Sequence, residues 1–492
     1  MRGWNHVIPL DPAADLPLFL QISRSIIDGI RQGQLTPGNR LPGTRALASA
    51  LGVNRNTVLA AFDELRAEGW VTATNGGGTF VSHDLPIRVQ PQFATHRAGL
   101  AAQAGYTLAP PLRSDPPPSF PPGTLWLAKG QPDLRLLPIH ELTRSYRRAL
   151  SHHGHSLLTF GDPRGHLRLR NALASMLETA RGIAASAESI LVTRGSQMAL
   201  DLVARSLVNP GDAVAVESLG HPPAWSALKL AGARLLAVPV DEHGMDVDAF
   251  ASMAERERIR AVLVTPHHQF PTTVVMPAAR RLKLLDIARR HRIAVIEDDY
   301  DHEFHYSGRP LLPLASGDRS GTVIYVGTLS KILAPGFRMG FISAPAPVIE
   351  RLASLRVALD LQGDLAMEYA IADLFESGEL GRHVRRMRQI YQARRDTLVA
   401  AIRRNLGGAL ECDVPSGGMA LWTRVSDDID ADAWAREALR HGVAIRGGRM
   451  YDLEDRYQPN FRLGFSYHDE HELTEAVHRL AVALKEIRRN VA

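Results

Sequence analysis

A proline-rich interruption sets the terms for this chain. Residues 83–123 carry DLPIRVQPQF and then APPLRSDPPPSFPPG, too much proline for a helix or a central strand. Such a run favours extended polyproline structure and reads as a linker. It divides the 492 residues into a small patterned zone, 12–82, and a large one, 124–492. A chain this long exceeds one ordinary core, so two domains or more are expected.

The small zone predicts three helices and a hairpin. LFLQISRSIIDGIRQG puts Leu20, Ile22, Ile26, Ile27 and Ile30 on one helical side. Pro37 and Gly38 break the chain, and Thr44 starts a short second helix ending at Leu51. After Gly52, Asn54 caps a third helix running to about Glu68, with Val58, Leu59, Phe62 and Leu65 inward. WVTATNGGGTFV then reads as two short strands around a turn at Asn75–Gly78. Three helices followed by such a wing make a winged helix-turn-helix. The start of the third helix would offer Asn54, Arg55, Asn56 and Thr57 to base edges in a major groove. Arg40, Thr44 and Arg45 lie where backbone phosphates are expected, and Gly78 lets the wing approach closely. The net charge, 57 − 52 = +5, is too small to argue for nucleic acid. Its distribution says more: Arg31, Arg40, Arg45 and Arg55 fall between Ile30 and Phe62 with no acid among them.

In the large zone, apolar runs at 189–193, 213–217, 234–240, 261–266, 293–298, 322–327 and 339–344 predict strands. Helical segments at 195–208, 222–231, 247–257 and 277–292 separate most of them, which predicts a mostly parallel sheet covered on both faces. From about 346 the chain turns helical, then mixes strands at 419–423 and 461–465 with a last helix from about 469: a small C-terminal α+β subdomain, about 346–492.

The chain has five lysines, and Lys331 stands apart from the surface pattern of the others. It sits in a Gly/Ser/Thr-rich turn after an apolar strand, in VGTLSKILAPGFRMGF, where an amine can form an imine with an aldehyde cofactor. Thr328 and Arg338 flank it as phosphate donors. The helix opened by Gly195, Ser196 and Gln197 offers free N–H groups to the same anion. IEDDYDHEF ends another strand with acids and the phenol of Tyr300; a carboxylate there keeps a cofactor's ring nitrogen protonated. Strand carboxyl ends are where open α/β sheets place ligands.

Two resemblances follow from these residues. LPGTRALASALGVNRNTVLAAFDELRAEGWVTATNGGGTFV resembles the GntR-type winged helix, with Thr74 where that family usually has an arginine before the glycine run. FGDPRG (160–165) with Leu169 and Arg170, TRGSQ (193–197), TPHHQFPT (265–272), EDDYD (297–301) and GTLSK (327–331) resemble the fold-type-I, pyridoxal-phosphate-dependent aminotransferases. Their fusion resembles the MocR/GabR group of bacterial regulators. The resemblance implies Lys331 as the imine lysine, Asp298 (or Asp299, one register step away) on the ring nitrogen, and Tyr300 with Gln269 or His268 near the ring oxygen. It further implies Gly195, Ser196, Gln197, Thr328 and Arg338 on the phosphate, His221 where relatives stack an aromatic ring, and Arg462, ahead of Arg446 and Arg449, for a substrate carboxylate. Expected partners are double-stranded DNA, a small amino compound or pyridoxal phosphate itself as effector, and a second copy of the chain in a homodimer. An active aminotransferase with an accessory DNA-binding domain is the alternative, and a regulator with residual half-transamination lies between the two.

The opening run MRGWNHVIPLDP has no signal pattern and no later stretch stays apolar across a bilayer's thickness, so a cytoplasmic protein is expected. One cysteine, Cys412, rules out disulfides and a cysteine-rich metal site, and it reads as a small buried residue. No metal site is expected.

Overall fold

The computed structural model describes residues 6–12, 14, 16–74, 77–86, 104–108, 120–128 and 130–491. The chain forms two compact units, Met1–Asp115 and Pro116–Ala492. Most of the proline-rich run, and the turn residues Asn75 and Gly76, lie outside the described residues.

The first unit holds α1 (Leu18–Arg31), α2 (Thr44–Leu51), α3 (Arg55–Ala67) and a hairpin of β1 (Val71–Thr74) and β2 (Gly78–Val81). Its core is the apolar spacing of the sequence made solid: Ile22, Ile26 and Ile30 of α1 pack with Val58, Phe62 and Leu65 of α3. Two expectations need correction. Leu59 is 43% exposed, because it lies one residue past Val58 and so turns about 100° away from the core; Ala61 fills the inward position. Leu20 and Ile27 are half-buried, at the margin of the α1 stripe.

The second unit is built on a seven-stranded sheet. In chain order the strands are β3 (Ile190–Thr193), β4 (Ala213–Glu217), β5 (Arg234–Val238), β6 (Ile259–Val264), β7 (Ala294–Asp299), β8 (Val323–Thr328) and β9 (Gly340–Ser343). They lie in the order β3-β9-β8-β7-β6-β4-β5. Only β9 runs antiparallel to its neighbours. The strand expected at 234–240 stops at Val238, because Pro239 has no N–H for the ladder. Alternation along each strand feeds two cores. Leu263 and Ile296 join Leu202, Trp225 and Ile349 on one face. Val262, Val264 and Val295 join Phe250, Leu284 and Ile287 on the other. The helices between the early strands, α4 (Gly195–Leu207), α5 (Pro222–Leu230), α6 (Val247–Arg256) and α7 (Ala278–His291), supply most of that cover.

Towards the C-terminus, Leu410–Cys412, Ala420–Val425 and Asn460–Gly464 form a separate antiparallel sheet, packed with Glu379–Asn405 and the last helix, Glu470–Val491. Cys412 is half-buried rather than buried, since its strand ends the chain's run at the edge of this sheet. Among the described residues no helix is long and apolar enough to cross a membrane.

The first unit's small core has little to spare. Phe62→Ala, at a position 1% exposed, is expected to cost about 3–5 kcal/mol. Urea unfolding of the isolated 1–115 segment, followed by far-ultraviolet circular dichroism, measures it.

Candidate functional sites

The first candidate surface lies at the start of α3. Asn54 Oδ1 accepts from the Asn56 N–H at 2.9 Å, the side-chain cap that starts this helix. That bond commits the Asn54 carbonyl, and leaves Arg55 and Asn56 as exposed groups on the first turn. Arg55 Nε donates to Thr44 Oγ1 at 3.5 Å, linking α3 to the start of α2, beside exposed Arg45. Thr57 is half-buried. Arg40 bridges to Phe80 of the wing, and its Nε would lie 2.9 Å from any Cβ at Gly78. Glycine, with its positive φ of 110°, lets the wing and this arginine lie together. The described acids of the helix pair, Asp63 and Glu64, lie further along α3 than these groups. The exposed set is cationic and polar, as a phosphate-and-base reader requires.

The second site gathers at one edge of the large sheet. β3, β4, β6, β7 and β8 all end there, and antiparallel β9 begins there, so the following loops converge. Lys331, three residues past β8, is half-buried and donates from Nζ to the Gly130 carbonyl at 2.9 Å. Desolvation, then the nearby Arg462 guanidinium, pull its amine down to about 8. More of it is therefore neutral, and nucleophilic, near physiological pH than in an ordinary lysine.

Strand β7 separates the neighbouring acids. Asp299 is held well below the usual carboxylate range: although buried, it lies against His302, receives the Tyr325 hydroxyl at 2.6 Å and lies near Arg181. Asp298 points to the opposite face, with its Oδ1 buried and unpartnered. Burial, with Asp299 and Asp301 nearby, lifts it to about 7, and Lys331 is the cation that acts on it. Tyr300, half-buried beside Arg462, also lacks a hydrogen-bond partner for its hydroxyl. An amine, a carboxyl and a phenol thus share one pocket edge with polar atoms uncommitted.

The Phe270 ring sits among His221 (5.0 Å), Tyr300 (5.9 Å) and Tyr451 (5.5 Å), and the Arg462 guanidinium lies 4.6 Å above it. Arg462 is buried with Nε unpartnered, whereas Arg449 is occupied by the Asp455 carbonyl and Arg446 approaches Met450. Of the three arginines, Arg462 is the one brought to Lys331.

At the opposite side of this edge, Arg338 reaches the start of α4. Its Nη2 donates to the Arg194 carbonyl at 3.0 Å, and its guanidinium lies 3.1 Å from where a Gly195 Cβ would be. Gly195 has φ +77°, which only glycine adopts without strain. Helix-start N–H groups and a guanidinium side by side form an anion seat. Ser196 is half-buried at that seat, while Gln197 ties α4 to α5 by donating to the Pro223 carbonyl at 2.8 Å.

Three residues do something different from what the sequence suggests. Thr328 braces the lysine turn: its hydroxyl donates to Met339 O (3.3 Å) and accepts from the Ser330 N–H (3.1 Å). Gln269 spends its amide on loop contacts, donating to the Leu219 carbonyl of the loop after β4 and to the Phe270 carbonyl, and accepting from Thr272. His268 turns its Nδ1 to Asp301. Sequence reasoning overlooked Gly130, Phe270 and Tyr451, which carry no chemical signature, and Gly340, whose neighbours are set by the fold. His267 and His302 stood there only inside longer motifs, and His305 lay just past the end of one.

The chain matches the family model described as aminotransferase class I and II over residues 122–480, and that of the bacterial regulatory proteins, gntR family, over residues 18–81. It is 32% identical over 477 residues to the probable rhizopine catabolism regulatory protein MocR of Rhizobium meliloti, covering 97% of this chain and 96% of that protein. It is 31% identical to the HTH-type pyridoxine biosynthesis transcriptional regulator PdxR of Corynebacterium glutamicum, covering 90% and 94%. Among solved structures, the multiple substrate aminotransferase of Thermococcus profundus superposes with a TM-score of 0.71 at 31% identity, over 75% of this chain and 93% of that one.

Two predictions follow from this geometry. A Cβ at Gly340 would lie 2.8 Å from the Gly195 carbonyl carbon and 3.0 Å from the Ser196 nitrogen, both backbone. Gly340→Ala is therefore expected to displace the anion seat and weaken pyridoxal phosphate binding tenfold or more, about 1.4 kcal/mol, by fluorescence titration. Asp298, raised to about 7 from 3.8, stabilises the ligand-free fold fully below about pH 4 and loses that contribution as pH rises through 7. Asp298→Asn is expected to make the fall in stability between those limits shallower by about 4 kcal/mol, read from denaturant midpoints against pH.

Proposed function

The chain belongs to the MocR-type regulators, a gntR-family winged helix joined to an aminotransferase class I and II domain, and on that premise we propose the residue roles and the signal that control it. It is a pyridoxal-phosphate-binding transcriptional regulator. Occupancy of the Lys331 site by pyridoxal phosphate, or by an amino compound reacting there, sets its affinity for DNA. The observation that carries this reading is the buried Lys331 amine, pulled down to about 8, beside unpartnered Asp298 and Tyr300, in the same chain as an exposed Arg55–Asn56 reading edge.

The residues fit the cofactor. When bound, pyridoxal phosphate supplies an aldehyde for the lysine and a ring that takes up electrons. Lys331 would offer its amine, and Asp298, whose Oδ1 has no hydrogen-bond partner, would hold a proton-bearing ring nitrogen. Tyr300 directs its hydroxyl to the ring oxygen. Gly195, Ser196 and Arg338 hold the phosphate, while Thr328 and Gln269 position the loops from which these groups reach in. His221, at the start of α5 and edge-on to Phe270, borders the ring. Arg462 takes the carboxylate of an amino-acid effector.

On DNA, Arg55 and Asn56 read bases while Arg40 and Arg45 hold phosphates. The chain works as a homodimer, so that two winged helices meet two half-sites. The domain limits of this reading are 12–82 for the DNA reader, 83–123 for the linker and 124–492 for the cofactor domain.

The Arg462–Lys331 juxtaposition also favours a half-transamination with a carboxylate-bearing amine. Amino-group transfer at the stoichiometry of the protein separates this from sustained turnover.

Fluorescence anisotropy with the DNA upstream of its own gene tests the main reading. Affinity is expected to change at least tenfold between ligand-free protein and protein loaded with pyridoxal phosphate or an effector amine. Lys331→Ala should lose both the visible cofactor band and this response. Arg55→Ala should lower specific affinity by about 1–3 kcal/mol with the band intact. Equal DNA affinity in every ligand state would sink the proposal.

A further inference from the structure

Behind the cofactor side of the sheet edge, four histidines converge. His267 and His268 follow β6, and His302 and His305 follow β7 in the run DHEFH. One ring nitrogen from each of His267, His268 and His305 lies within 4.8 Å of the other two. His267 and His268 are 2% and 1% exposed, and His305 is half-buried. Both ring nitrogens of His267, Nε2 of His268 and Nδ1 of His305 have no hydrogen-bond partner. A buried imidazole ordinarily finds a partner for its polar atoms, and leaving one unmade costs about 1–3 kcal/mol. Here all three clustered histidines carry an unpartnered ring nitrogen.

The surroundings prepare those nitrogens as ligands. His268 Nδ1 lies 2.8 Å from Asp301 Oδ1, a pairing that keeps the proton on Nδ1 and leaves a lone pair on Nε2. A carboxylate behind an imidazole is the usual support of a metal-binding histidine. Gly417 faces the same Nε2, and a side chain at that position would fill the space in front of it. His302 stacks on His267 with centroids 4.4 Å apart, and its own Nδ1 lies 2.9 Å from Asp299, so a carboxylate stands behind the ring that covers His267.

We propose that His267, His268 and His305 bind a divalent transition-metal ion, with Zn2+ the best match to an all-imidazole set. Metal–nitrogen bonds of about 2.0–2.1 Å place the nitrogens about 3.4 Å apart, so the rings close on the ion by side-chain rotations of a little over an ångström. Three protein ligands leave the fourth tetrahedral position to water or a small anion. The ion ties the loop after β6 to the segment after β7. Those two segments carry Phe270 and Tyr300, so metal occupancy braces the cofactor pocket from behind. The site itself needs no cofactor.

The test uses full-length, tag-free protein stripped with a chelator and then titrated with Zn2+ or Co2+. One ion per chain is expected by elemental analysis, and the Co2+ form is expected to show the intense visible bands of tetrahedral coordination. His267→Ala and His305→Ala should each weaken binding at least tenfold; His305→Gln replaces the alanine variant if that fails to fold. His441→Ala, which removes the histidine from the separate surface group with Glu437 and Glu486, should leave binding unchanged. Substoichiometric metal, unchanged affinity in the cluster variants, or loss of binding in His441→Ala overturns the proposal. Repeating the titration in Lys331→Ala separates it from the cofactor reading: metal binding should persist there.

Discussion

Two adjacent carboxyls on one strand meet opposite fates, and the large unit is organised around that difference. Pleating sends Asp299 to one face of β7 and Asp298 to the other. Asp299 finds the Tyr325 hydroxyl, His302 and the neighbourhood of Arg181, and stays ionised in the interior. Asp298 finds no hydrogen-bond donor for its Oδ1, and the cation that acts on it is the Lys331 amine at the end of the next strand. An unpaired acid inside a protein lowers stability. Such a group belongs where a ligand will answer it, and the amine, phenol and anion seat around it define that ligand.

The sheet order makes this arrangement possible. Six strands end, and one begins, at a single edge, so residues from 195 to 338 meet there although the chain separates them widely. Close backbone packing secures the edge. Gly340 lies against Gly195 and Ser196 without room for a methyl group, which fixes the helix start relative to the strand beside the lysine turn. Thr328 and Gln269 brace the loops from within.

The small unit applies the same division of labour at a different scale. Apolar residues at helical spacing build a core around Phe62, while Asn54 closes the start of α3 with its own side chain. The cap leaves the next two residues free to face outward. The histidine cluster adds a second polar centre to the large unit, set against the strand ends that also carry the candidate cofactor groups.

Much of this was legible in the sequence because periodicity and local chemistry report local structure. Helices, strands, the Asn54 cap and the isolated lysine after a strand needed no knowledge of distant contacts. Most element limits moved by a residue or two, the strand at 234–240 stopped where Pro239 intervened, and burial differed at the edge of a helical stripe, as at Leu59 and Ile27. What remained hidden depends on which loops meet. The histidines at 267, 268, 302 and 305 form two pairs in the sequence, and nothing local says that the pairs face each other. Likewise Asp298 and Asp299 read alike until the sheet assigns each a face, and Gln269 and Thr328 read as free donors until their loops claim them. The sequence by itself determined the two modules and the residue types that act in them, since those follow from spacing and chemical identity. The tertiary structure alone decided which polar atoms end without partners, because pairing in a folded interior is settled between segments that only the fold brings together.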